Sequence, residues 1–339
     1  MKIAIDARML NKSGIGTYIK HIMENIGYDV ILNESNFPYK NYSIKEQLFF
    51  PYKKLRREKV DVLHVPHLNI PIFYGGKLVV TIHDLTHLKY PQFLPSKFHY
   101  WYFKFMLGMA TKKASKIITV SHNTKKDIID FFNTDPDKIK VIHSGVGKGF
   151  VIKQKSEVSY LYEKYNILQG KKIILYVGNL LPHKNLEGLL KAVPLIEKDC
   201  VLILAGKNFK GRTAQAVEAD NYPSLLLYAG EVSQDELTDF YNLADLFVLP
   251  SLYEGFGFPV LESFACGTPV ACSNTSSLPE VGGKHAFYFD PKNEADIAKT
   301  INNALEWRGN PLTLREYALQ FSWEKTAMET LNEINSLAN

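Results

Sequence analysis

Residues 240–262 read FYNLADLFVLPSLYEGFGFPVLE. The run Leu246–Leu249 is apolar, short and bounded by Asp245 and Pro250, the pattern of a strand buried on both faces of a parallel sheet. A loop with Gly255 and Gly257 follows, and from Phe258 the pattern FPVLESFACG is helical. The stretch therefore reads strand, loop, helix. The two glycines permit backbone conformations that other residues resist. Amides at the start of the helix then point at an anion, helped by the helix dipole. Two carboxylates, Glu254 and Glu262, stand eight positions apart around this corner.

The same alternation extends outward through the chain. KKIILYVG (171–178), CVLILAG (200–206), SLLLYAG (224–230) and TPVACS (268–273) read as buried strands with helical stretches between them. An earlier set, KIAIDA (2–7), DVLHV (61–65), KLVVTIHD (77–84), KIITVS (116–121) and IKVIHSGV (139–146), repeats the pattern, with helical stretches after Gly16, at 95–114 and at 122–133. This is the signature of an α/β protein, and 339 residues suit two domains rather than one. The expectation is two Rossmann-like domains facing across a cleft, with ligands at the carboxyl ends of the strands. The first domain is expected over 1–155 and the second over 170–318. The polar stretch 151–172 reads as the linker, and 312–339 as one long helical pattern.

Composition narrows the class. The chain is 46% apolar and 22% charged, with no apolar run near the roughly 20 residues of a membrane-spanning helix. MKIAIDARML reads as a strand rather than a signal peptide. Cys200, Cys266 and Cys272 form no C-x-x-C pair and read as buried free thiols. A cytoplasmic location is expected. The net charge of +5 hides an asymmetry. Residues 1–150 carry 23 Lys and Arg against 12 Asp and Glu, a balance of +11, so the remainder carries −6. Aromatics interleave with the basic residues, above all in FHYWYFKF (98–105). A face of that kind suits anionic lipid headgroups. No nucleic-acid-binding motif is present.

Other stretches at strand ends carry polar groups. SGIGTY (13–18) offers Gly14 and Gly16 to a phosphate at a helix start, but Ile19 stands where a dinucleotide fingerprint needs glycine. In TIHDLTHLKYP, the spacing of His83, Asp84 and His87 is too loose for a metal site, so His83 and Asp84 read as groups lining a cleft. In GNLLPHKNLEGLL, Lys184 precedes a helix, where a pyrophosphate would meet an ammonium and a helix end together, with His183 beside it. Carboxylates accept hydrogen bonds from hydroxyls. Phosphates on the 254–258 loop, with a sugar hydroxyl set held by each acid, would account for the pattern around Glu254 and Glu262.

With these stretches assembled, the chain resembles the retaining glycosyltransferases of the GT-B fold, family 4. The resemblance rests on Glu254 and Glu262 around GFGFPVL, and on IDARML, SGIGTY, TIHDL, VSHNTKKDI, VIHSGV, YVGNLLPHKN and SSLPEVGG. It implies roles at matching positions. Glu262 would bind the ribose hydroxyls and Glu254 the transferred sugar. Lys184 and the backbone of Gly255, Phe256, Gly257 and Phe258 would hold the diphosphate. Gly14 and Gly16 would leave room for it. His83 would line the reaction centre and Asp84 orient the acceptor. Gly230, Glu231 and Val232 would read the base. A C-terminal helix (319–339) would cross back to the first domain. No metal and no cofactor are expected, the substrate itself being a nucleotide-diphosphate sugar. The chain departs from many relatives in having Asn179 and His183 where an arginine accompanies the lysine.

The motifs look most like bacterial mannosyltransferases of surface-polysaccharide assembly. That implies a GDP-mannose donor, with UDP-hexoses and dTDP-deoxysugars as alternatives. The expected acceptor is a lipid-linked glycan at the inner membrane face, reached through the basic first domain. An epimerase of the same architecture, a non-catalytic nucleotide-sugar-binding subunit and an NAD-dependent oxidoreductase are the other classes. An epimerase would need no acceptor, and a binding subunit would turn nothing over. The oxidoreductase lacks the third glycine and the ribose acid.

Overall fold

The computed structural model describes all residues except 13, 36, 40, 41, 208–225, 338 and 339. It forms two compact units, Met1–Gly145 with Phe321–Asn339, and Val146–Gln320.

The first unit is built on six parallel strands: β1 (Ile3–Asp6), β2 (Val30–Leu32), β3 (Val62–Val65), β4 (Lys77–Ile82), β5 (Lys116–Thr119) and β6 (Ile139–Val141). Their order is β2-β1-β3-β4-β5-β6, so the sheet reverses direction of growth between β1 and β3. Pairing registers such as Ala4 with Leu63 and Val80 with Ile117 place β-branched and leucine side chains on both faces. Leu63, Val80, Ile117 and Ile128 form the core on one face, and Ile3, Val62, Val79 and Ile118 on the other. Three helices matter below: α1 (Ile15–Asn25), α2 (Lys97–Lys113) and α3 (His122–Phe132). Ser121 caps α3 by accepting the Thr124 amide at 3.1 Å.

The second unit repeats the theme with β7 (Lys172–Val177), β8 (Cys200–Ala205), β9 (Leu226–Gly230), β10 (Leu246–Leu249), β11 (Val270–Ser273) and β12 (Phe287–Phe289). All pairs are parallel, in the order β12-β11-β10-β7-β8-β9, with the reversal between β7 and β10. This is the Rossmann strand order. Its helices include α4 (Leu186–Ala192), α5 (Gln234–Leu243), α6 (Phe258–Ala265), α7 (Glu294–Leu305) and α8 (Pro311–Ala318). The expected strand 224–230 begins in residues outside those described.

Several expectations are corrected. The helix after β1 starts at Ile15, so Gly16 lies inside it rather than before it. β2 and β12, three residues each, went unread because so short a run carries little periodicity. The stretch read as a linker is structured. It holds two helical turns, Lys155–Val158 and Tyr160–Lys164, and packs on α5. Lys153 pairs with Asp239 at 2.5 Å, Tyr160 donates to Asp239 at 2.7 Å, and the Lys155 ammonium donates to the Asn242 and Leu243 carbonyls. The division of the chain therefore falls after Gly145, ahead of the expected 155. The tail is two helices, α8 and α9 (Trp323–Asn335), because Ser322 starts a new helix by accepting the Lys325 amide at 3.1 Å. α9 belongs to the first unit. Its Trp323 stacks on His21 at 4.7 Å and meets Tyr18 edge-on at 5.9 Å, both on α1.

Candidate active site

In a parallel sheet the polar groups gather where two neighbouring strands send their connections to opposite faces. In the second unit those strands are β7 and β10. The turn after β7 carries Lys184, and the loop after β10 carries Glu254. The Lys184 ammonium lies 2.7 and 2.9 Å from the two carboxylate oxygens of Glu254, with only 22% and 11% of the side chains exposed. Residues 70 apart are thus joined because their strands are neighbours.

The two loops are stitched together by the backbone. The Leu252 amide donates to the His183 carbonyl at 2.8 Å. The Asn185 amide group donates to the Pro250 and Pro291 carbonyls at 3.1 and 2.8 Å. Serines fix the Glu254 end. Ser251 donates to its carboxylate at 2.6 Å, and its amide donates to Ser276 at 2.9 Å. The Ser277 hydroxyl is 2.9 Å from the Glu254 carbonyl and 2.8 Å from that of Phe256.

Gly257 adopts φ +111°, and a Cβ there would lie 2.8 Å from the Leu278 Cδ2. Only glycine is unstrained in that conformation, and it lets α6 begin at once at Phe258. Phe256 is buried, its ring edge-on to Phe258 at 5.4 Å, so this loop presents backbone rather than the Phe256 side chain. Glu262, one turn into α6, accepts a hydrogen bond from Tyr241 at 2.9 Å. Burial pushes its carboxyl up to about 7, against a smaller opposing effect of the Tyr241 hydroxyl. Near neutrality Glu262 thus stands between its acid and carboxylate forms. Gly230 ends β9 with φ +75°. Glu231 beside it is exposed and paired with Lys207 at 2.7 Å, and Val232 is half-buried. A cavity of about 280 Å³ lined by Lys155, Lys172, Thr268 and Trp307 opens at the amino ends of β7 and β11, the edge of the sheet away from Lys184 and Glu254.

The first unit gathers its polar groups at the ends of β1, β3 and β4. His83 Nε2 donates to the Pro66 carbonyl at 3.0 Å, which leaves Nδ1 as the acceptor nitrogen. Burial pushes the His83 pKa down, more than the Pro66 carbonyl and Asp84 raise it. The Tyr18 ring meets the imidazole edge-on at 4.9 Å. Asp84 accepts the Thr86 amide at 2.8 Å and so starts the helical turn Thr86–Lys89. Gly14, at φ +74°, has open space where a Cβ would sit. At Gly16 a Cβ would lie 2.1 Å from the Leu10 carbonyl oxygen, and its amide donates to the Lys12 carbonyl at 2.6 Å. Its lack of a side chain serves the packing of residues 9–12 on α1, rather than room for a ligand.

Nothing local in IDARML assigns a role to its charged residues. Arg8 is 1% exposed and bridges two buried acids, with Nε and Nη2 on Asp6 at 2.8 and 2.5 Å and Nη1 on Glu46 at 2.5 Å. Asn69 donates to Glu46 at 2.6 Å, and His67 Nε2 lies 3.4 Å from Asp6. Burial alone would raise the Asp6 pKa, but His67 and Arg8 together hold it well below the usual carboxylate range. Ser251, Ser276, Ser277, Asn185 and Tyr241 were also missed. The only signal was their presence inside the quoted motifs.

Two parallel Rossmann-type sheets, each with polar groups collected at its reversal point, define the GT-B architecture. HepE of Anabaena, solved in complex with UDP-glucose, shares it, with a TM-score of 0.81 at 16% identity over 99% of this chain and all of that one. A family model described as glycosyl transferases group 1 matches residues 161–321, and one described as Glycosyltransferase Family 4 matches 19–147. The chain is 33% identical over 291 residues to O-antigen chain mannosyltransferase B of Escherichia coli, covering 82% of this chain and 75% of that one. It is 32% identical over 230 residues to the E. coli serotype-specific mannosyltransferase WbdA, of which it spans 28%. The chain belongs to the family 4 (group 1) glycosyltransferases.

Proposed function

We propose that the protein transfers mannose from GDP-mannose to a hydroxyl of a lipid-linked glycan, with retention at the anomeric carbon, in assembly of a bacterial surface polysaccharide. The observation that carries this reading is the Lys184–Glu254 pair at the reversal point of the second sheet, with Glu262 one turn into the helix that follows the Glu254 loop. The mannosyltransferase relatives supply the choice of sugar.

In this account the bond from the sugar carbon to the diphosphate breaks while the acceptor oxygen bonds to that carbon on the same face. The acceptor proton passes to the departing diphosphate. The protein's part is positioning and charge. Lys184 carries three N–H donors and can keep one on Glu254 while turning others to the diphosphate. Glu254 then holds sugar hydroxyls, and ionised Glu262 accepts from the ribose. His83, with Nδ1 open as an acceptor, and Asp84 face the acceptor. Neutralisation by Lys184 and the start of α6 needs no metal, so turnover should survive a chelator. The enzyme acts at the inner face of the cell membrane.

The test is thermal unfolding with GDP, UDP, dTDP, ADP and NAD in turn. A ligand at 100 times its Kd stabilises by about 2.7 kcal/mol. A shift with GDP alone supports the reading. A shift with UDP or dTDP alone overturns the donor, and a shift with NAD alone overturns the class.

A further inference from the structure

We propose that α2 is an in-plane membrane anchor, which seats Phe98, Trp101 and Phe105 in the interface of an anionic bilayer. This deepens the membrane-face reading above but does not depend on the donor.

Three observations carry it. First, Phe98, Trp101 and Phe105 are 74%, 62% and 55% exposed, although large aromatics normally lie inside. They stand at i, i+3 and i+7, so at about 100° per residue they share one narrow stripe of the helix. The opposite side, with Met106, Leu107 and Ala110, is buried in the unit's own core. The stripe is thus a second apolar face that the fold does not cover. Three aromatics aligned on one face mark an interaction site, whereas scattered apolar residues need no explanation.

Second, the 17 residues of α2 include Lys97, Lys104, Lys112 and Lys113 and no acid. The Lys104 ammonium lies 5.3 Å from the Trp101 ring centre, so the cationic side borders the aromatic one. Aromatics flanked by lysines match the boundary between acyl chains and anionic headgroups. A second copy of the same helix would bring like charges together, and so fits less well.

Third, α2 adjoins the acceptor-side residues. The His87 ring stacks on Phe103 of α2 at 3.9 Å, and His87 lies in the turn that Asp84 starts directly after His83. Phe103 lies on the buried side of α2, so an anchored helix holds that segment about one helix diameter, roughly 10 Å, above the bilayer interface, within reach of a hydroxyl on a lipid-linked glycan.

The protein carries its own probe. Of its three tryptophans, Trp323 is buried and Trp307 half-buried, while Trp101 is exposed. The experiment mixes the full chain with vesicles of phosphatidylglycerol and phosphatidylcholine, or of phosphatidylcholine alone, at low salt. The expected result is co-sedimentation with the anionic vesicles only, a blue shift of tryptophan emission, and quenching by brominated acyl chains. Trp101→Phe should keep binding but lose the shift. The double variant Phe98→Ser with Phe105→Ser should weaken partitioning by about 100-fold, as expected from losing two aromatic insertions. Its thermal shift with nucleotide should match the parent's, which separates loss of the anchor from loss of the donor site. Vesicle binding that the double variant leaves unchanged would overturn the proposal, as would no binding at all. So would a dimer in lipid-free solution that the double variant abolishes, since a second copy would then own this face.

Discussion

Replacing Glu262 with glutamine should make the protein more stable at alkaline pH. The carboxyl of Glu262 is raised from 4.5 to about 7 by burial. Between those values the folded chain keeps a proton that the unfolded chain has released. A group of this kind supports the fold below about pH 4.5, and its support is lost as pH rises through 7. At about 1.4 kcal/mol for each tenfold change, the full cost above pH 8 is about 3 kcal/mol. That figure is an upper limit, because the residue keeps some contact with water. Glutamine has nearly the same shape, still accepts from Tyr241 and carries no charge to bury. Thermal unfolding of parent and Glu262→Gln across pH 5 to 8.5 reads the difference. The gap should be small at pH 5, about 2–3 °C, and widen to as much as about 6–12 °C at pH 8, at roughly 2–4 °C per kcal/mol for a unit of this size. A variant that is no more stable at pH 8, or a gap that grows toward acid, refutes the reasoning. Glu262 is then a buried carboxyl held at a cost to the fold.

Other predictions follow from the same geometry. If ribose hydroxyls donate to ionised Glu262, GDP should bind more tightly as pH rises through 7, and calorimetry of Glu262→Gln should show that dependence gone. Lys184→Ala removes the ammonium beside Glu254 and should lower kcat/KM by about 10²–10³, the usual cost of losing a charge-stabilising donor; a change within about twofold would remove Lys184 from the diphosphate site. Gly257→Ala forces a side chain into φ +111° and should cost about 1–2 kcal/mol in urea unfolding. The Leu278 methyl it meets can swing aside, so a much larger loss would mean that the loop is more rigid than its contacts imply. Arg8→Met leaves Asp6 and Glu46 buried without their cation and should cost about 3–5 kcal/mol, read by the same method.

What could be read in advance followed local signals. The strands β1 and β3–β11 are apolar runs with clear ends, and α6 opens where the glycine loop stops. Glu254, Glu262 and Lys184 stood out because each is a charged residue at a strand-to-helix corner. Their pairing did not. Lys184 and Glu254 meet only because β7 and β10 are neighbours, a property of strand order that no local window contains. The same holds for Arg8, whose partners include Glu46, 38 residues away. Its sequence context is a buried strand end, where a charged side chain looks like an exposed one until its partners are placed. The break in the tail was hidden differently. Ser322 interrupts a helical periodicity that resumes after it, so the pattern alone ran through the cap. Gly16 shows the reverse error, a glycine read as room for a ligand when the Leu10 carbonyl occupies that space.

The most direct test of the central claim is sugar transfer itself. Purified protein, vesicles bearing a lipid-linked mannose-terminated glycan, and GDP-mannose labelled in the sugar are incubated together. The anomeric configuration of the product is read by NMR, with Lys184→Ala and Glu254→Gln in parallel. Labelled lipid-linked product of retained configuration is expected, with near-complete loss in both variants. Release of free mannose without transfer, product of inverted configuration, or undiminished transfer by Lys184→Ala would contradict that claim.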